Sequence, residues 1–244
     1  MKPVLFITGI GKRLGLEMAK HFLDKDFQLI GTYRTKYDSI DELISNGADL
    51  YQVDFYDQEA VDNFINHIQD KYSYLNGIIH NASDWLPDNN DKNNADYNSA
   101  QIIQKMMTIH ASIPYQINLA FQKLLINSHV HSNDFADVIH ISDYVAEKGS
   151  KKHIAYAASK TAMNSLTLSF SSLLSPKVKV NSISPALIKF NEQDDDSYKE
   201  KAFSKALLAK EAGYSEIIKA IEFIFSSKFM TGRNLQIDGG RHLK

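Results

Sequence analysis

The chain of 244 residues contains no cysteine, a single tryptophan and five prolines, and its charges almost cancel, 27 basic against 29 acidic. The missing cysteine excludes a disulfide framework and any thiolate metal site. A net charge of −2 gives no reason to expect a nucleic acid or an anionic membrane as partner. No apolar run reaches the ~20 residues of a membrane span, and Met1-Lys2-Pro3 leads directly into an apolar run. The expectation is a soluble, cytoplasmic protein. Histidines do not cluster at metal-ligand spacing, so no metal is expected. With 43% hydrophobic and 23% charged residues, disorder is not indicated, and the length suits one domain over 1–244 with a substantial core.

What is present is a regular alternation of strand and helix patterns. Strands are predicted near 3–8, 27–33, 49–54, 76–81, 136–142, 177–183 and 233–237. Helices are predicted near 12–25, 38–46, 57–72, 99–127, 154–174, 196–210 and 214–227. Such alternation implies an α/β fold, a Rossmann-type doubly wound parallel sheet with helices on both faces. In open sheets of this kind ligands bind beyond the carboxyl ends of the strands. Two polar stretches fall there, 84–94 after the fourth strand and 190–196 after the sixth. Both are candidates to line a substrate site, the second within a lid-like segment over 186–212. The Asp194-Asp195-Asp196 run has a second reading, as a helix N-terminus favoured by its dipole.

The glycines are few, but three stand in a telling place. The apolar run Lys2–Thr8 ends in Gly9-Ile10-Gly11-Lys12-Arg13-Leu14-Gly15, and a helix pattern follows. Strand, glycine turn, helix sets backbone N–H groups and a positive helix end against a pyrophosphate. The spacing misses the strict Gly-x-Gly-x-x-Gly form by one residue. The second strand ends at Arg34, with Lys36 close by and no carboxylate at the strand tip. That position faces an adenosine ribose in this fold, and an arginine there accommodates a 2′-phosphate, which favours NADP over NAD.

Tyr156 and Lys160 lie four apart on one face of a predicted helix. An ammonium one turn from a phenol favours the phenolate and lowers its usual pKa of roughly 10. The pair then suits proton transfer near neutral pH.

With the glycine turn and the Tyr-Lys pair placed, the chain resembles the short-chain dehydrogenases/reductases over its full length. Thr8–Gly15 is similar to the family's nucleotide turn, with Arg13 where most members carry glycine. Asp54, followed by Phe55, matches the acidic residue that contacts adenine. Asn81-Ala82-Ser83 matches the segment ending the fourth strand, with Ser83 replacing glycine. Asn181–Pro185 matches the segment bordering the nicotinamide, with Ala186 replacing glycine, and Thr231-Gly232 and Asp238-Gly239-Gly240 resemble the C-terminal strand and turn. The resemblance implies a cofactor, NADPH, held by Gly9, Lys12, Arg13, Leu14, Gly15, Arg34, Asp54, Phe55, Asn81, Ala82, Ser83, His110, Tyr156, Lys160, Pro185, Leu187 and Ile188. It also implies a homo-oligomer, commonly a tetramer, formed through helices equivalent to 99–127 and 154–174.

Three departures narrow the resemblance. Asp143 stands where the family's catalytic serine is usual, His110 where an asparagine is usual, and Arg13 sits in the nucleotide turn. Arg13, Asp143, Tyr156 and Lys160 together resemble the pteridine reductases. His110, the Asn81–Trp85 segment and the closing Asp-Gly-Gly-Arg-His-Leu run are more similar still to the bacterial branch acting on dihydromonapterin. The implied reaction is NADPH-dependent reduction of a 7,8-dihydropterin, with catalytic residues Tyr156, Lys160 and Asp143 and substrate contacts from Arg13, Ser83, Trp85, Asp143 and Tyr156. Monapterin, biopterin and folate tails are all open. Asp143 also has a chemical argument: protonated it donates to a ring nitrogen, ionised it accepts from an amino-pyrimidine edge, and serine cannot do both.

Several residues keep a second reading. Asp143 could cap the segment that follows it. Arg13 could serve the cofactor phosphate alone, and Trp85 could be a loop anchor rather than a stacking partner. His110 could pack rather than relay protons. His80 and His140 read as satisfied core residues. Two rival functions stand beside the pterin reading, a carbonyl or 3-oxoacyl reductase and a non-catalytic NADP-binding regulator. Asp143 argues against the first, the intact Tyr-Lys pair against the second.

Overall fold

The computed structural model describes residues 2–88, 97–132 and 134–244. β1 (Val4–Thr8) is buried at every position. Its alternate residues serve two cores, Val4 and Phe6 one and Leu5 and Ile7 the other, as a strand covered on both faces requires. The sheet continues with β2 (Gln28–Tyr33), β3 (Asp49–Gln52), β4 (Gly77–His80), β5 (Ala136–Ile141), β6 (Val178–Pro185) and β7 (Asn234–Ile237). All pairings are parallel, in the order β3-β2-β1-β4-β5-β6-β7. The order reverses between β1 and β4, so a crevice opens at their carboxyl ends.

Helices α1 (Arg13–Asp24), α2 (Asp38–Ser45) and α10 (Tyr214–Ser226) cover the Leu5/Ile7 face. The opposite face is covered by α3 (Gln58–Lys71), α4 (Ser99–Met107), α5 (Ile113–Ala120), α6 (Gln122–Ser132) and α8 (Ile154–Leu174). Phe6, Phe64 and Phe121 meet there, with ring centroids 5.4 to 6.3 Å apart. Two short helices remain, α7 (Val145–Lys148) and α9 (Asp196–Phe203).

The seven predicted strands are present, but three features differ from expectation. The single helix predicted over 99–127 is broken: a π turn, Thr108–Ser112, separates α4 from α5. Pro114 supplies the reason. It has no N–H to bond the His110 carbonyl four residues before it, and its ring would press on that carbonyl, so the turn widens. β3 stops at Gln52 because the chain turns at Asp54, whose side chain accepts from the Tyr56 N–H at 3.1 Å. The helix predicted over 196–210 stops at Phe203, and beyond it Leu208 donates to the Gly239 carbonyl at 2.8 Å, drawing the chain back toward β7.

Candidate active site

The glycine turn after β1 lies against the end of β4. Gly9 has φ +72°, and a Cβ on it would come within 2.9 Å of Ala82 Cα. A Cβ on Gly15 would meet the Gly9 carbonyl oxygen at 2.0 Å. Only hydrogen fits at either position. The Thr8 hydroxyl oxygen accepts from the Asn81 and Ala82 amides, both at 2.9 Å, and the Asn81 side chain donates to the Thr8 and Gly9 carbonyls. At the start of α1, Lys12 makes no capping hydrogen bond and the first turn carries no acidic residue. The first amides and the positive helix end are thus left to the cleft, a setting that fits a dinucleotide pyrophosphate.

Arg13 stands in the left-handed region, φ +53°. That conformation costs an ordinary side chain roughly 1–2 kcal/mol and explains why glycine suits the position. Here the arginine has a use: its guanidinium donates to the Lys189 carbonyl at 2.8 Å and to the Asn191 side chain. It therefore ties the nucleotide turn to the segment after β6. The Asp194–Asp196 run is a helix cap, Asp195 accepting from the Tyr198 amide at 2.7 Å.

At the end of β2 the site is less basic than the strand tip implies. Arg34 forms a two-point ion pair with Asp84, 2.7 and 3.1 Å, and Tyr56 donates to the same carboxylate at 2.8 Å. Asp84 arrives from the loop after β4, which a local reading of β2 cannot show. The Arg34 and Tyr56 hydrogen bonds hold the Asp84 carboxyl below its ordinary range despite burial. Lys36 is turned aside onto Asp41, 2.8 Å away.

Tyr156, on the first turn of α8, donates to Asp143 Oδ2 at 3.0 Å. Asp143 also accepts from the Val145 amide at 2.9 Å, so it caps the following segment and faces the tyrosine at once. Lys160 is buried one turn on and donates to the Ile141 carbonyl at 2.8 Å. The expectation that Lys160 lowers the phenol's pKa is not met. Burial and the Asp143 carboxyl push Tyr156 well above its ordinary value, against a smaller opposing effect from Ser83. Burial also raises the Asp143 carboxyl and lowers Lys160 to about 8.

Ser83 lies at 2.7 Å from His110 Nε2, and His110 Nδ1 at 2.8 Å from Ser159 Oγ. His110 is fully buried, its ring edge-on to Tyr156 at 5.3 Å. Packing and polar contact therefore coexist at this residue. Trp85 is 61% exposed, its ring centroid 3.9 Å from that of His153. Past it, Asp88 accepts from the Ile154 and Ala155 amides at the start of α8. Residues 84–88 thus form a strap held by Arg34 at one end and by α8 at the other.

Together these groups line a cleft of about 500 Å³ at the switch point. Of the residues singled out in the sequence, Gly9, Lys12, Arg13, Leu14, Gly15, Arg34, Asp54, Phe55, Asn81, Ala82, Ser83, Trp85, Asp143, Tyr156, Lys160, Pro185 and Ile188 line it. His110 does not line it but touches Ser83 and Tyr156, which do. Leu187 lines a second cavity of about 190 Å³, beneath α9.

Residues 9–242 match the family described as enoyl-(acyl carrier protein) reductase, a short-chain dehydrogenase/reductase group. The chain is a short-chain dehydrogenase/reductase. It is 43% identical over 243 residues to a dihydromonapterin reductase of Klebsiella pneumoniae, covering 100% of this chain and 98% of that one. Among solved structures, ElxO with NADP bound superposes with a TM-score of 0.84 at 25% identity, covering 100% of both chains. The fold is also shared with FolM, alternative dihydrofolate reductase 1, from Brucella canis complexed with NADP, at a TM-score of 0.83 and 20% identity over 99% of this chain and 94% of that one.

Within this family fold, the sequence placed Thr8 in the nucleotide turn and Asp84 and Asp88 in the 84–94 stretch without their partners, and Tyr56, His153 and Ser159 were not singled out. Each acts through a partner distant in sequence or on the inner face of a helix. Thr8 alone had a local signal, a hydroxyl immediately before the first glycine of the turn. His140 is satisfied by Asn118 and Thr167, but His80 Nδ1 has no hydrogen-bond partner among the described residues. Residues 89–94 of the polar stretch after β4 lie outside the described residues. Among the described residues there is no cluster able to hold a metal ion and no helix long and apolar enough to cross a membrane.

Proposed function

We propose that this chain reduces a 7,8-dihydropterin to the tetrahydropterin with NADPH, dihydromonapterin being the preferred substrate. The observation that carries the reading is the buried Asp143 carboxyl 3.0 Å from the Tyr156 hydroxyl, in a cleft that also holds Arg13, Ser83 and Trp85. The 43% identity to a dihydromonapterin reductase over the whole chain supports it. When bound, NADPH supplies the hydride. The glycine turn and the start of α1 would hold its pyrophosphate, Arg34 its 2′-phosphate, Asp54 and Phe55 would flank its adenine, and Pro185 and Ile188 would border its nicotinamide, whereas Leu187 faces the second cavity.

The chain's own residues orient the ring and manage the proton. Asp143 takes the amino-pyrimidine edge, Trp85 stacks on the ring, and Arg13 lies between pyrophosphate and pterin. Hydride addition at C6 of the C6=N5 bond leaves N5 to be protonated. Tyr156 is the proton store: its raised pKa keeps the phenol protonated throughout the working range, and Lys160 binds the ribose and offsets charge when the proton leaves. The segment 186–212 acts as a lid, fastened to the nucleotide turn by Arg13. The protein is cytoplasmic and assembles as a homotetramer.

The test is a paired assay of wild type and Asp143→Ser with NADPH, on dihydromonapterin, dihydrobiopterin, dihydrofolate and a small diketone. Wild type is expected to reduce a dihydropterin, and Asp143→Ser to lose that activity by about tenfold or more, since a hydrogen bond to a charged group contributes about 1.5–3 kcal/mol. Efficient diketone reduction with no turnover of any dihydropterin defeats the reading and leaves a carbonyl reductase.

A further inference from the structure

Two of the chain's departures from its family's pattern, Ser83 and His110, touch each other, and the hydrogen positions around them can be deduced. Ser159 Oγ lies 2.8 Å from the Tyr156 carbonyl oxygen. A carbonyl only accepts, so the single Ser159 proton is committed there. His110 Nδ1, 2.8 Å from the same Ser159 oxygen, must then be the donor of that contact. Burial, and next the Lys160 charge, hold the imidazole well below its ordinary pKa, outweighing an opposite effect of the Met106 backbone. A neutral ring carries one N–H, so Nε2 is bare. The Ser83 hydroxyl, 2.7 Å from Nε2, therefore donates to it rather than to the Asp84 carbonyl at 3.4 Å or to the Tyr156 phenol oxygen, which keeps its own proton and gives it to Asp143.

We infer that Ser83 is a specificity residue that offers the cleft lone pairs alone, with His110 as the positioning residue that holds its proton. An unconstrained serine donates or accepts by rotating; this one cannot turn its proton toward a ligand without leaving a buried imidazole nitrogen bare. The ligand group it takes is therefore an N–H donor. A dihydropterin carries such donors on its ring and amino group, whereas a keto oxygen placed at Ser83 would meet lone pairs. The inference rests on the dihydropterin reading and deepens it. It gives the substrate edge a second, purely accepting contact beside Asp143, which can act in either sense.

Two measurements test it. Nitrogen-15 NMR of histidine-labelled protein reads the ring directly. The expected result is a protonated Nδ1 and a bare Nε2 on His110 at neutral pH, with Ser83→Ala shifting the Nε2 signal and leaving Nδ1 in place. A proton on Nε2, or on both nitrogens, overturns the inference. Steady-state kinetics with dihydropterin form the second arm. Asparagine at 110 can still donate to Ser159 but is too short to reach Ser83, while glutamine can bring an oxygen to the Nε2 position. His110→Asn and Ser83→Ala should each raise the dihydropterin KM about tenfold, the factor of one lost hydrogen bond, with a smaller change in kcat. The double variant should be no worse than either single one, and His110→Gln should recover most of the loss. If the two single effects multiply, or asparagine and glutamine behave alike, His110 is merely structural. A wild type that turns over no dihydropterin defeats the proposed function instead, and the NMR arm still decides where the proton sits.

Discussion

At the scale of single residues, the site is governed by which charges are already paired. Arg34 is engaged by Asp84 through two hydrogen bonds. A 2′-phosphate must compete with that carboxylate for the guanidinium. Arg34→Ala is expected to raise the NADPH KM about tenfold and to leave NADH nearly unchanged, the loss of a charge-assisted contact. Asp84→Asn should act in the opposite direction and lower the NADPH KM. Equal effects of Arg34→Ala on both cofactors, read from initial rates, would remove the assignment. Lys160 supplies a pH signature. Its buried ammonium loses its proton near pH 8 rather than at the usual value, because desolvation disfavours the charged form. The group is charged below that pH and neutral above it, so kcat/KM for NADPH should fall as pH rises through about 8. Lys160→Arg, which stays charged, should flatten that limb even if its rate is lower. These residues were legible in unequal measure. Tyr156, Lys160, Asp143 and Arg34 could be named from the sequence, but the pairing of Arg34 with Asp84 could not. Asp84 lies fifty positions from Arg34 and meets it only because β2 and β4 flank the same central strand.

At the scale of elements, the break between α4 and α5 is set by one residue. Pro114 denies the His110 carbonyl its α-helical partner and the chain takes a π turn instead. That turn puts His110 on the inner side, against Ser83 and Ser159. Pro114→Ala restores the missing N–H and should let the α-helix run on, turning His110 away from Ser83. The expected outcome is an unchanged or raised Tm together with a raised dihydropterin KM; an unchanged KM would separate the π turn from the site. The sequence pattern over 99–127 has helical periodicity throughout, which is why a continuous helix was the natural prediction. Periodicity reports which face is buried but does not register a one-residue widening of the turn. The strands were easier to read, because short β-rich apolar runs bounded by turns have few other uses in a chain of this composition. β3 was read too long because Val53 is apolar, buried and still bonded to β2, its amide donating to the Tyr33 carbonyl at 2.9 Å, although the strand ends at Gln52.

At the scale of the whole molecule, α5 and α8 leave large apolar side chains in solvent. Tyr115, Leu119, Leu168 and Leu173 are 40 to 61% exposed. These helices belong to the segments the family resemblance assigns to subunit contacts, and the tetramer proposed above would cover them. Light scattering on the purified protein should give four times the 27.6 kDa of one chain. Leu168→Asp with Leu173→Asp should shift the mass toward dimer or monomer, and a wild type that is monomeric at micromolar concentration overturns the assembly.

The strap over residues 84–88 joins two recognition tasks in one short piece of chain. Five residues span at most about 17 Å. One end is held beside β2, where the cofactor's adenosine phosphate is expected, and the other at the start of α8, beyond β5. Trp85 sits between them. A tether so short leaves the indole no more than a few residues from either anchor. Discrimination between two cofactors and grip on the flat face of a ring thus fall to residues one position apart, Asp84 and Trp85. Any coupling the strap carries is reciprocal: whatever the first ligand does to the affinity of the second, the second does in equal measure to the first.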